Sequence, residues 1–305
     1  MSENLMDTLS KGFSHFSKNP ILWAPILLMF GVMFIVLFAL IIVLTLAFGI
    51  AFSSVGLGEM SLYLILVLIL SGIVVLAVTS YFSAGLTGMC KEIEVSGKTS
   101  FSDLAKYGNK AWVRVFLSTL LMAVISAVSI IFMIPAIVSL ANAGITNQMW
   151  LDAMNASIAG NPLAFEQIAT TAVEAAAFSF IGGLLLMLVY MLIVMFVFYF
   201  MEYAIVIDDL SVTAGIKKSW ELLKTRAGDV IVFIIVVSVI SWLISMVSYF
   251  IAEILAASVI LSLIGMLVTL ILDIAIIILT TIWAVRKYLV LTEQPLHEEE
   301  DLLSY

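Results

Sequence analysis

The sequence predicts an all-α fold, a polytopic membrane bundle of six transmembrane helices. The chain of 305 residues is 64% hydrophobic and only 11% charged, with a mean hydropathy of +1.23. A soluble domain carries roughly 25% charged residues, so this composition excludes an ordinary soluble fold. Several apolar runs also exceed the roughly 20 residues that a helix needs to cross a hydrocarbon core of about 30 Å.

The apolar runs divide into six predicted spans. They cover residues 21–52, 61–88, 112–141, 174–201, 230–252 and 257–286. The first run is longer than a crossing needs, which predicts that it tilts or projects beyond the hydrocarbon. The last two spans are almost continuous, and Glu253 is the only charged residue between Asp229 and Asp273. We divide them because this run has the length of two bilayer crossings at about 1.5 Å per residue.

The charged residues between the spans predict the topology. All 13 Lys and Arg residues lie in or beside alternate connections. The other connections hold acidic residues and no basic ones: Glu59, Asp152, Glu166 and Glu253. Basic connections face the cytoplasm by the positive-inside rule, so both termini are predicted to be cytoplasmic. An odd number of spans would break this one-sided pattern. The predicted location is therefore the cell membrane, crossed several times.

The same charges limit the partners that we expect. Residues 1–290 are predicted to form a single six-helix transmembrane domain, and residues 291–305 an acidic cytoplasmic tail. The net charge of −8 is concentrated in the outer connections and the tail, so no extended basic surface remains for nucleic acid. The predicted partners are membrane lipids and another membrane or cytoplasmic protein.

Three segments that precede alternate spans share a helical pattern of apolar residues. They are LMDTLSKGFSHFSKNPILWAP before the first span, FSDLAKYGNKAWVRVF before the third and IDDLSVTAGIKKSWELLKTR before the fifth. The motif ISAVS in the third span also recurs as ISMVS in the fifth. Recurring patterns of this kind indicate repeated structural units. The sequence therefore predicts three units, each a cytoplasmic amphipathic helix followed by a two-span hairpin.

The third of these segments combines basic side chains with an aromatic one, which is typical of a helix at the membrane interface. Its apolar face would enter the headgroup boundary while its basic residues face anionic lipid. Ser211 or Thr213 can cap this helix. A ligand or partner site on the same surface is the alternative. The candidate lipid contacts are Lys217, Lys218, Trp220, Lys224 and Arg226.

The run FYFMEYAIVIDDLSVTAGIKKSW, from Phe198 to Trp220, combines an aromatic span end, a short apolar stretch expected to be extended, two acidic residues and a helix ending in Ser-Trp. With KNPILWAP near the N-terminus and SGKTSFSDL after the second span, it resembles uncharacterised six-span prokaryotic integral membrane proteins. These are related to the membrane domain of glycerophosphodiester phosphodiesterases. Gly215 stands where that pattern has Ala before the Lys pair, unless the Ala is shifted to Ala214. The resemblance implies a fold and no activity, because the phosphodiesterase relatives carry their chemistry in a separate soluble barrel.

The sequence holds few residue types that could carry catalysis. Its two histidines, His15 and His297, lie at opposite ends of the chain. Metal-protease, nucleophile-elbow and phosphate-loop motifs are all missing from the sequence. Asp208 and Asp209 could hold a divalent ion if Glu202 turned in as a third ligand, but solvated capping carboxylates are the simpler interpretation. We therefore predict no catalytic, cofactor-binding or metal site, and no cofactor.

Asp273 is the most informative single residue, since it lies near the middle of the sixth span. A carboxylate at this depth costs about 2.5–3.5 kcal/mol on insertion scales and is expected to face the interior of the bundle. Hydroxyls on the fifth span could meet it, either as helix-packing contacts or as part of a polar path for a proton or small solute. The candidate residues for this polar pathway or interhelix contact are Asp273, Ser238, Ser241, Ser245, Ser248 and Glu202.

Two further segments carry recognisable local patterns. Residues 142–173 form the one sizeable outer connection, in which Asn155 begins a glycosylation sequon and short surface helices are predicted. In the tail, residues 298–303 match an acidic dileucine pattern, with a solvated charge run as the simpler interpretation.

These observations favour a non-enzymatic integral membrane protein, acting as a scaffold or as an accessory subunit of a membrane complex. A transporter or channel for a small solute or proton, using Asp273 and the serines of the fifth span, is the alternative. A lipid-modifying enzyme is the third hypothesis.

Overall fold

The computed structural model describes residues 3–54, 57–142, 147–159, 162–256 and 258–297. These residues form α-helices joined by turns and two 3₁₀ segments, with no β-strand among them, so the predicted all-α fold is confirmed. The helices are α1 (Leu5–Lys18), α2 (Trp23–Ser54), α3 (Leu57–Ser96), α4 (Phe101–Ala127), α5 (Ile134–Asn142), α6 (Asn147–Ile158), α7 (Pro162–Phe198), α8 (Met201–Ile207), α9 (Val212–Thr225), α10 (Ala227–Leu255) and α11 (Val259–Leu291).

Six helical stretches within the described residues are long and apolar enough to cross a membrane. They are Pro20–Val43, Val67–Ser96, Phe101–Ser139, Ala177–Ile207, Ala227–Leu255 and Val259–Leu291. The predicted number of six spans is therefore confirmed, and the chain is a multi-pass membrane protein. Most surface residues on these helices are large and apolar, as a lipid environment requires.

The third span differs from its prediction at both ends. Its helix α4 begins at Phe101, so the segment predicted as a separate interfacial helix is continuous with the span. After Ala127 the helix tightens into the 3₁₀ segment Val128–Met133, and α5 follows. Pro135 lies just beyond this segment, and a proline disturbs the helical turn before it because its ring clashes with the preceding carbonyl.

The fourth span is also reorganised relative to its prediction. Helix α7 starts at Pro162, so it absorbs part of the predicted outer connection, while α6 is one of the predicted short outer helices. The apolar stretch expected to be extended is instead the helix α8. It is helical because its backbone groups bond within a turn: Ala204 N–H donates to the Phe200 carbonyl at 2.9 Å.

The chain divides into two compact units: unit 1 comprises residues 1–119 and 197–305, and unit 2 comprises residues 120–196. In unit 1, α10 and α11 form an antiparallel hairpin, and α3 packs against α2, α8 and α11. Aromatic rings fill the space between α8, α10 and α11. The ring of Phe200 lies 6.3 Å from that of Phe233 and 5.9 Å from that of Tyr288.

The two ends of the described chain lie at the same end of unit 1, which we call the basal end. The Glu3 carboxylate contacts Arg286 at the end of α11, at 2.6 Å. His297 N–H donates to the Glu94 carbonyl at the end of α3, at 2.6 Å. Residues 292–297 therefore fold back onto the bundle, while residues 298–303, with the acidic dileucine pattern, lie outside the described residues.

At the basal end, three short helical segments each press a glycine against a neighbouring helix. The start of α4 lies on α3, α9 lies on α8, and α1 lies on α11. A Cβ atom on any of these glycines would overlap the neighbour, so the backbones approach closely only because the side chain is missing. Gly108 faces Tyr81, Gly215 faces Ile205, and Gly12 faces Trp283.

In unit 2, the contacts join α7 to the 3₁₀ segment and its flanks. The Tyr190 hydroxyl donates to the Ile125 carbonyl at 2.7 Å, and its ring lies 5.7 Å from that of Phe132. A Cβ atom at Gly183 would lie 2.5 Å from the Phe132 carbonyl oxygen, so this glycine permits the close approach. Asn155, at the start of the sequon, is exposed on α6.

Candidate functional site: a buried charge cluster and an exposed polar line

Helix α1 is fixed on α11 by backbone and aromatic contacts. Thr8, Gly12 and His15 form its buried face, spaced so that they share one side of the helix. Trp283 of α11 packs over Gly12, and its indole N–H donates to the Leu9 carbonyl at 3.0 Å. This packing carries His15 and the residues before α1 to the basal end of α11.

Four ionisable side chains meet there in what we call the basal cluster: Glu3, His15, Glu94 and Arg286. The Arg286 guanidinium donates to Glu94 at 2.5 Å and to Glu3 at 2.6 Å. His15 Nδ1 lies 3.1 Å from the second oxygen of Glu94. The Arg286 side chain is 2% exposed and that of Glu94 is fully buried.

The basal cluster is built as a clamp between helices. Glu94 belongs to α3, Arg286 to α11 and His15 to α1, so one network of polar contacts ties three elements together. Removing one partner from such a buried network leaves an uncompensated charge, which is strongly destabilising. The short charge-assisted hydrogen bonds to Arg286 hold the two carboxylates in place, which favours positioning over proton transfer.

The turn between α8 and α9 is tied to two other helices by its acidic residues. The carboxylate of Asp208 accepts from the Tyr288 hydroxyl at 2.5 Å and from the Gln294 amide at 2.8 Å. Asp209 instead pairs with Lys110 at 2.9 Å and with Arg114 at 2.5 Å. These two cations hold the pKa of the Asp209 carboxyl below its ordinary value.

These contacts correct both interpretations of the acidic pair. Asp208 and Asp209 point to different partners, so neither the shared metal site nor the solvated capping role describes them. Ser211 caps α9, with its hydroxyl accepting from Ala214 N–H at 3.3 Å. Glu202, the proposed third ligand, accepts from the hydroxyl of Ser83 on α3. The described residues contain no group of three or more His, Cys, Asp or Glu side chains placed to bind a metal.

Asp273 is exposed, so the expectation that it faces the interior of the bundle is wrong. Helix α11 buries Ile274, Ile278 and Ile282, and these side chains take the inward direction. Asp273 makes no hydrogen bond or ion pair with any described residue. It lies more than about 20 Å from either end of the helix at 1.5 Å per residue.

Other polar residues of α11 follow the same side of the helix. Ser262, Thr269, Asp273 and Thr280 follow one another at intervals of seven, four and seven residues. This spacing places all four on one side of the helix. Ser262 is exposed, and Thr269 and Thr280 are half-buried with their hydroxyls donating to the carbonyls of their own helix. We call these four residues the polar line.

The four serines of the predicted stripe on α10 differ in their exposure. Ser238 and Ser245 are exposed, and Ser241 donates to the Val237 carbonyl at 2.8 Å. Ser248 is buried, and its hydroxyl has no hydrogen-bond partner among the described residues. No described contact joins any of the four to Asp273, so the structure does not bring these predicted site residues together.

The interfacial residues predicted on α9 lie on its outer side. The face that packs on the bundle consists of Gly215, Ser219 and Leu222. Trp220 is 51% exposed, and Arg226 forms an exposed ion pair with Glu293 at 3.3 Å. Lys217 and Lys224 are exposed and Lys218 is half-buried.

The basal cluster was not predicted. The sequence indicates Arg286 only as a marker of membrane topology, and it predicts no role for Glu94 or Glu3. One usable signal was present in the sequence: the stretch IWAVRKYLVL is apolar on every side of a helix, so its two basic residues face protein wherever they point. Eight successive residues of α11, from Ile282 to Leu289, are indeed buried.

A sequence profile described as a domain of unknown function, DUF7847, matches residues 4–292. No curated protein matches the chain, and no solved structure matches it.

Proposed function

We propose that this chain, which belongs to the DUF7847 family, is a non-enzymatic membrane protein that acts as an accessory subunit or scaffold of a membrane complex. It would hold the membrane helix of another protein against the polar line of α11. Its basal cluster would keep α1, α3 and α11 rigid beneath that surface. The link to the membrane domain of glycerophosphodiester phosphodiesterases remains a prediction.

The exposure of Asp273 carries this proposal. A carboxylate facing lipid near the centre of a span costs about 2.5–3.5 kcal/mol, and exposed polar groups at this depth are normally covered. Unlike the buried charges of the basal cluster, Asp273 has no partner among the described residues. A helix packed along the polar line would supply one and would also cover the hydroxyl groups of Ser262, Thr269 and Thr280.

The occupant of this surface is the helix of a different protein that carries Lys or Arg at mid-depth. A second copy of this chain does not fit, because all 13 of its Lys and Arg residues lie near span ends or in connections. Two copies would bring two Asp273 carboxylates together without a cation. Charge complementarity therefore selects a basic membrane helix.

The exposed direction of Asp273 also favours docking over transport. A polar path needs groups that face one another inside the protein, whereas Asp273 and the serines of α10 share no described contact. The outer side of α9 supports a further part of the proposal, in which Lys217, Lys218, Trp220, Lys224 and Arg226 contact lipid headgroups. Their basic character is consistent with a cytoplasmic basal end and with cytoplasmic termini.

Unfolding of the purified protein in detergent tests the orientation of Asp273. The variant Asp273→Leu is expected to be more stable than the wild type, because it removes a carboxylate that faces the apolar surroundings. Glu253→Leu is the matched control, since Glu253 is an exposed carboxylate near the end of α10. A loss of stability in Asp273→Leu would show that Asp273 is bound inside the protein, and the docking proposal would fail.

Crosslinking in the membrane tests the partner itself. A photoreactive residue at Ile277, exposed one turn from Asp273, is expected to form an adduct with a membrane segment that contains Lys or Arg. The adduct should disappear in Asp273→Leu and persist in Glu253→Leu. An adduct with a second copy of the chain, or an adduct that survives Asp273→Leu, would contradict the proposed partner.

A further inference from the structure

A cleft of about 490 Å³ opens at the basal end, between the residues before α1, the start of α10 and the end of α11. A smaller cavity of about 80 Å³ shares Glu3, Asp229 and Lys287 with it and extends to Arg226 and Glu293. Neither cavity is part of the polar line. Its walls include Glu3, Leu5, Gly228, Asp229, Val232 and Lys287.

Lys287 provides a loosely paired cation in this cleft. Its side chain is only 5% exposed, yet its ammonium makes no hydrogen bond with any described residue. The nearest carboxylate oxygen belongs to Asp229 and lies 4.0 Å away, beyond hydrogen-bonding distance. An ammonium carries three donors, and this ion pair leaves all three without a hydrogen bond to a described residue. A ligand with anionic oxygens would satisfy them.

The first turn of α10 adds backbone donors to the same wall. Its N-cap residue is Arg226, and no side chain caps the turn. The N–H groups at the start of a helix point outward without a helical partner, and they favour anions such as phosphate. Gly228 lines the cleft, and the space where its Cβ would stand is open. The ammonium of Lys287 and the backbone N–H groups of this turn together make an anion-binding wall, which also carries the carboxylate of Asp229.

Glu3 provides the opposite charge. Arg286 bonds one oxygen of its carboxylate, and Lys11 lies 3.5 Å from the same oxygen, while the other oxygen, Oε2, is buried and has no hydrogen-bond partner among the described residues. An ionised carboxylate oxygen accepts only, so the complementary ligand group is a donor such as a primary ammonium. The cleft therefore offers an anion-binding wall and a carboxylate oxygen without a hydrogen-bond partner among the described residues.

We infer that the cleft binds the phosphoethanolamine headgroup of a membrane phospholipid. The phosphate lies against Lys287 and the first turn of α10, and the primary ammonium donates to Glu3 Oε2. The acyl chains leave along Leu5 and Val232. Val232 is 52% exposed within a membrane span, so the apolar part of the cleft continues onto the lipid-facing surface.

Native mass spectrometry of the detergent-purified full chain tests this inference. Phosphatidylethanolamine, phosphatidylcholine and phosphatidylglycerol with the same acyl chains are added separately, and the retained lipid is counted. We expect phosphatidylethanolamine to be retained about tenfold or more in preference to the other two. Phosphatidylcholine has a methylated ammonium that cannot donate to Glu3, and phosphatidylglycerol has no ammonium. Equal retention of the three lipids would overturn the inference.

The variant Lys287→Met is expected to retain less of all three lipids, because it removes the phosphate contact that they share, while Lys98→Met, which removes an exposed lysine beyond α3, should retain them as the wild type does. If Lys287→Met does not fold, Val232→Trp fills the apolar half of the cleft without changing its charges and should weaken retention equally. Retention unchanged in the folded variant would contradict the site. Free phosphoethanolamine distinguishes the source of the headgroup: displacement of the lipid at equal concentration would identify a soluble zwitterion and overturn the lipid assignment.

Discussion

The guanidinium of Arg286 lies 2.5 Å from the carboxylate of Glu94, and neither side chain is more than 2% exposed. The pair joins the ends of α3 and α11. It explains how Arg286 can lie in a part of α11 that protein covers on every side. Arg286 is thus part of the core and not only a mark of membrane topology.

Replacing Arg286 by Met is expected to destabilise the protein by about 3–5 kcal/mol, because the fully buried carboxylate of Glu94 then loses its guanidinium partner. Denaturant unfolding in detergent measures the change. Arg226→Met is the control, since its ion pair with Glu293 is exposed and is worth about 0–1 kcal/mol. Equal effects of the two substitutions would mean that the basal cluster is not a clamp.

The substitution Gly12→Ala tests the close packing of α1 on α11. Its Cβ would overlap the Trp283 ring, so we expect a loss of about 1–3 kcal/mol and weaker docking of α1. Gly31→Ala is the matched change, because nothing lies within 4 Å of the added atom and alanine favours the helix. Thermal unfolding of both variants should rank Gly12→Ala below the wild type and Gly31→Ala at or above it.

Two buried serines are expected to respond in opposite ways to replacement by alanine. The Ser219 hydroxyl donates to the Val197 carbonyl at 2.7 Å and accepts from Phe200 N–H at 3.2 Å, so Ser219→Ala should cost about 1–3 kcal/mol. Ser248→Ala removes a hydroxyl without a partner and should be neutral or stabilising. A large loss in Ser248→Ala, measured by the same unfolding assay, would indicate that this hydroxyl has a binding role.

The ion pairs of Asp209 should make the stability of the protein depend on pH. Its pKa is lowered by Lys110 and Arg114, so its ion pairs stabilise the folded state above the ordinary carboxyl pKa of about 3.9 and cease to do so as the pH falls through the lower folded-state value. Asp209 is half exposed, so the contribution is below about 1 kcal/mol. The stability difference between the wild type and Asp209→Asn should therefore be present at pH 7 and vanish in strong acid.

Asp209 also has a positive φ of 58°, a conformation that Asp and Asn tolerate better than branched residues. Asp209→Val should consequently be less stable than Asp209→Asn at every pH, since only the valine adds backbone strain. Circular dichroism during heating measures this order. The reverse order would show that the turn between α8 and α9 adopts another backbone conformation.

The spans could be predicted because a helix that crosses a bilayer needs a long apolar run, and such runs are visible directly in the sequence. The direction of one side chain was harder to predict. Asp273 was expected to face inward because burial in protein lowers its cost, but Ile274 and Ile278 take the inward side of α11 instead. A span that is apolar on all sides has no periodicity to show which side packs on its neighbours.

The basal cluster could not be predicted for a different reason. Glu3 and Arg286 are separated by 283 positions in the chain, and His15 and Glu94 by 79, so no local pattern links them. The contacts of Asp208 and Asp209 are similar, since their partners come from α4, α11 and the residues after α11. Local features of the same region, such as the Ser211 cap, could be predicted from the sequence because capping depends on neighbouring residues.

The contact between Glu3 and Arg286 has a consequence for biosynthesis. Because the two residues are at opposite ends of the described chain, α1 emerges from the ribosome long before the helix on which it packs. Non-local contacts of this kind form late and slow the completion of folding. Until α11 is inserted, the carboxylates of Glu3 and Glu94 have no guanidinium to neutralise them. Insertion of α11 would thus complete the basal cluster and fix α1 in the same step.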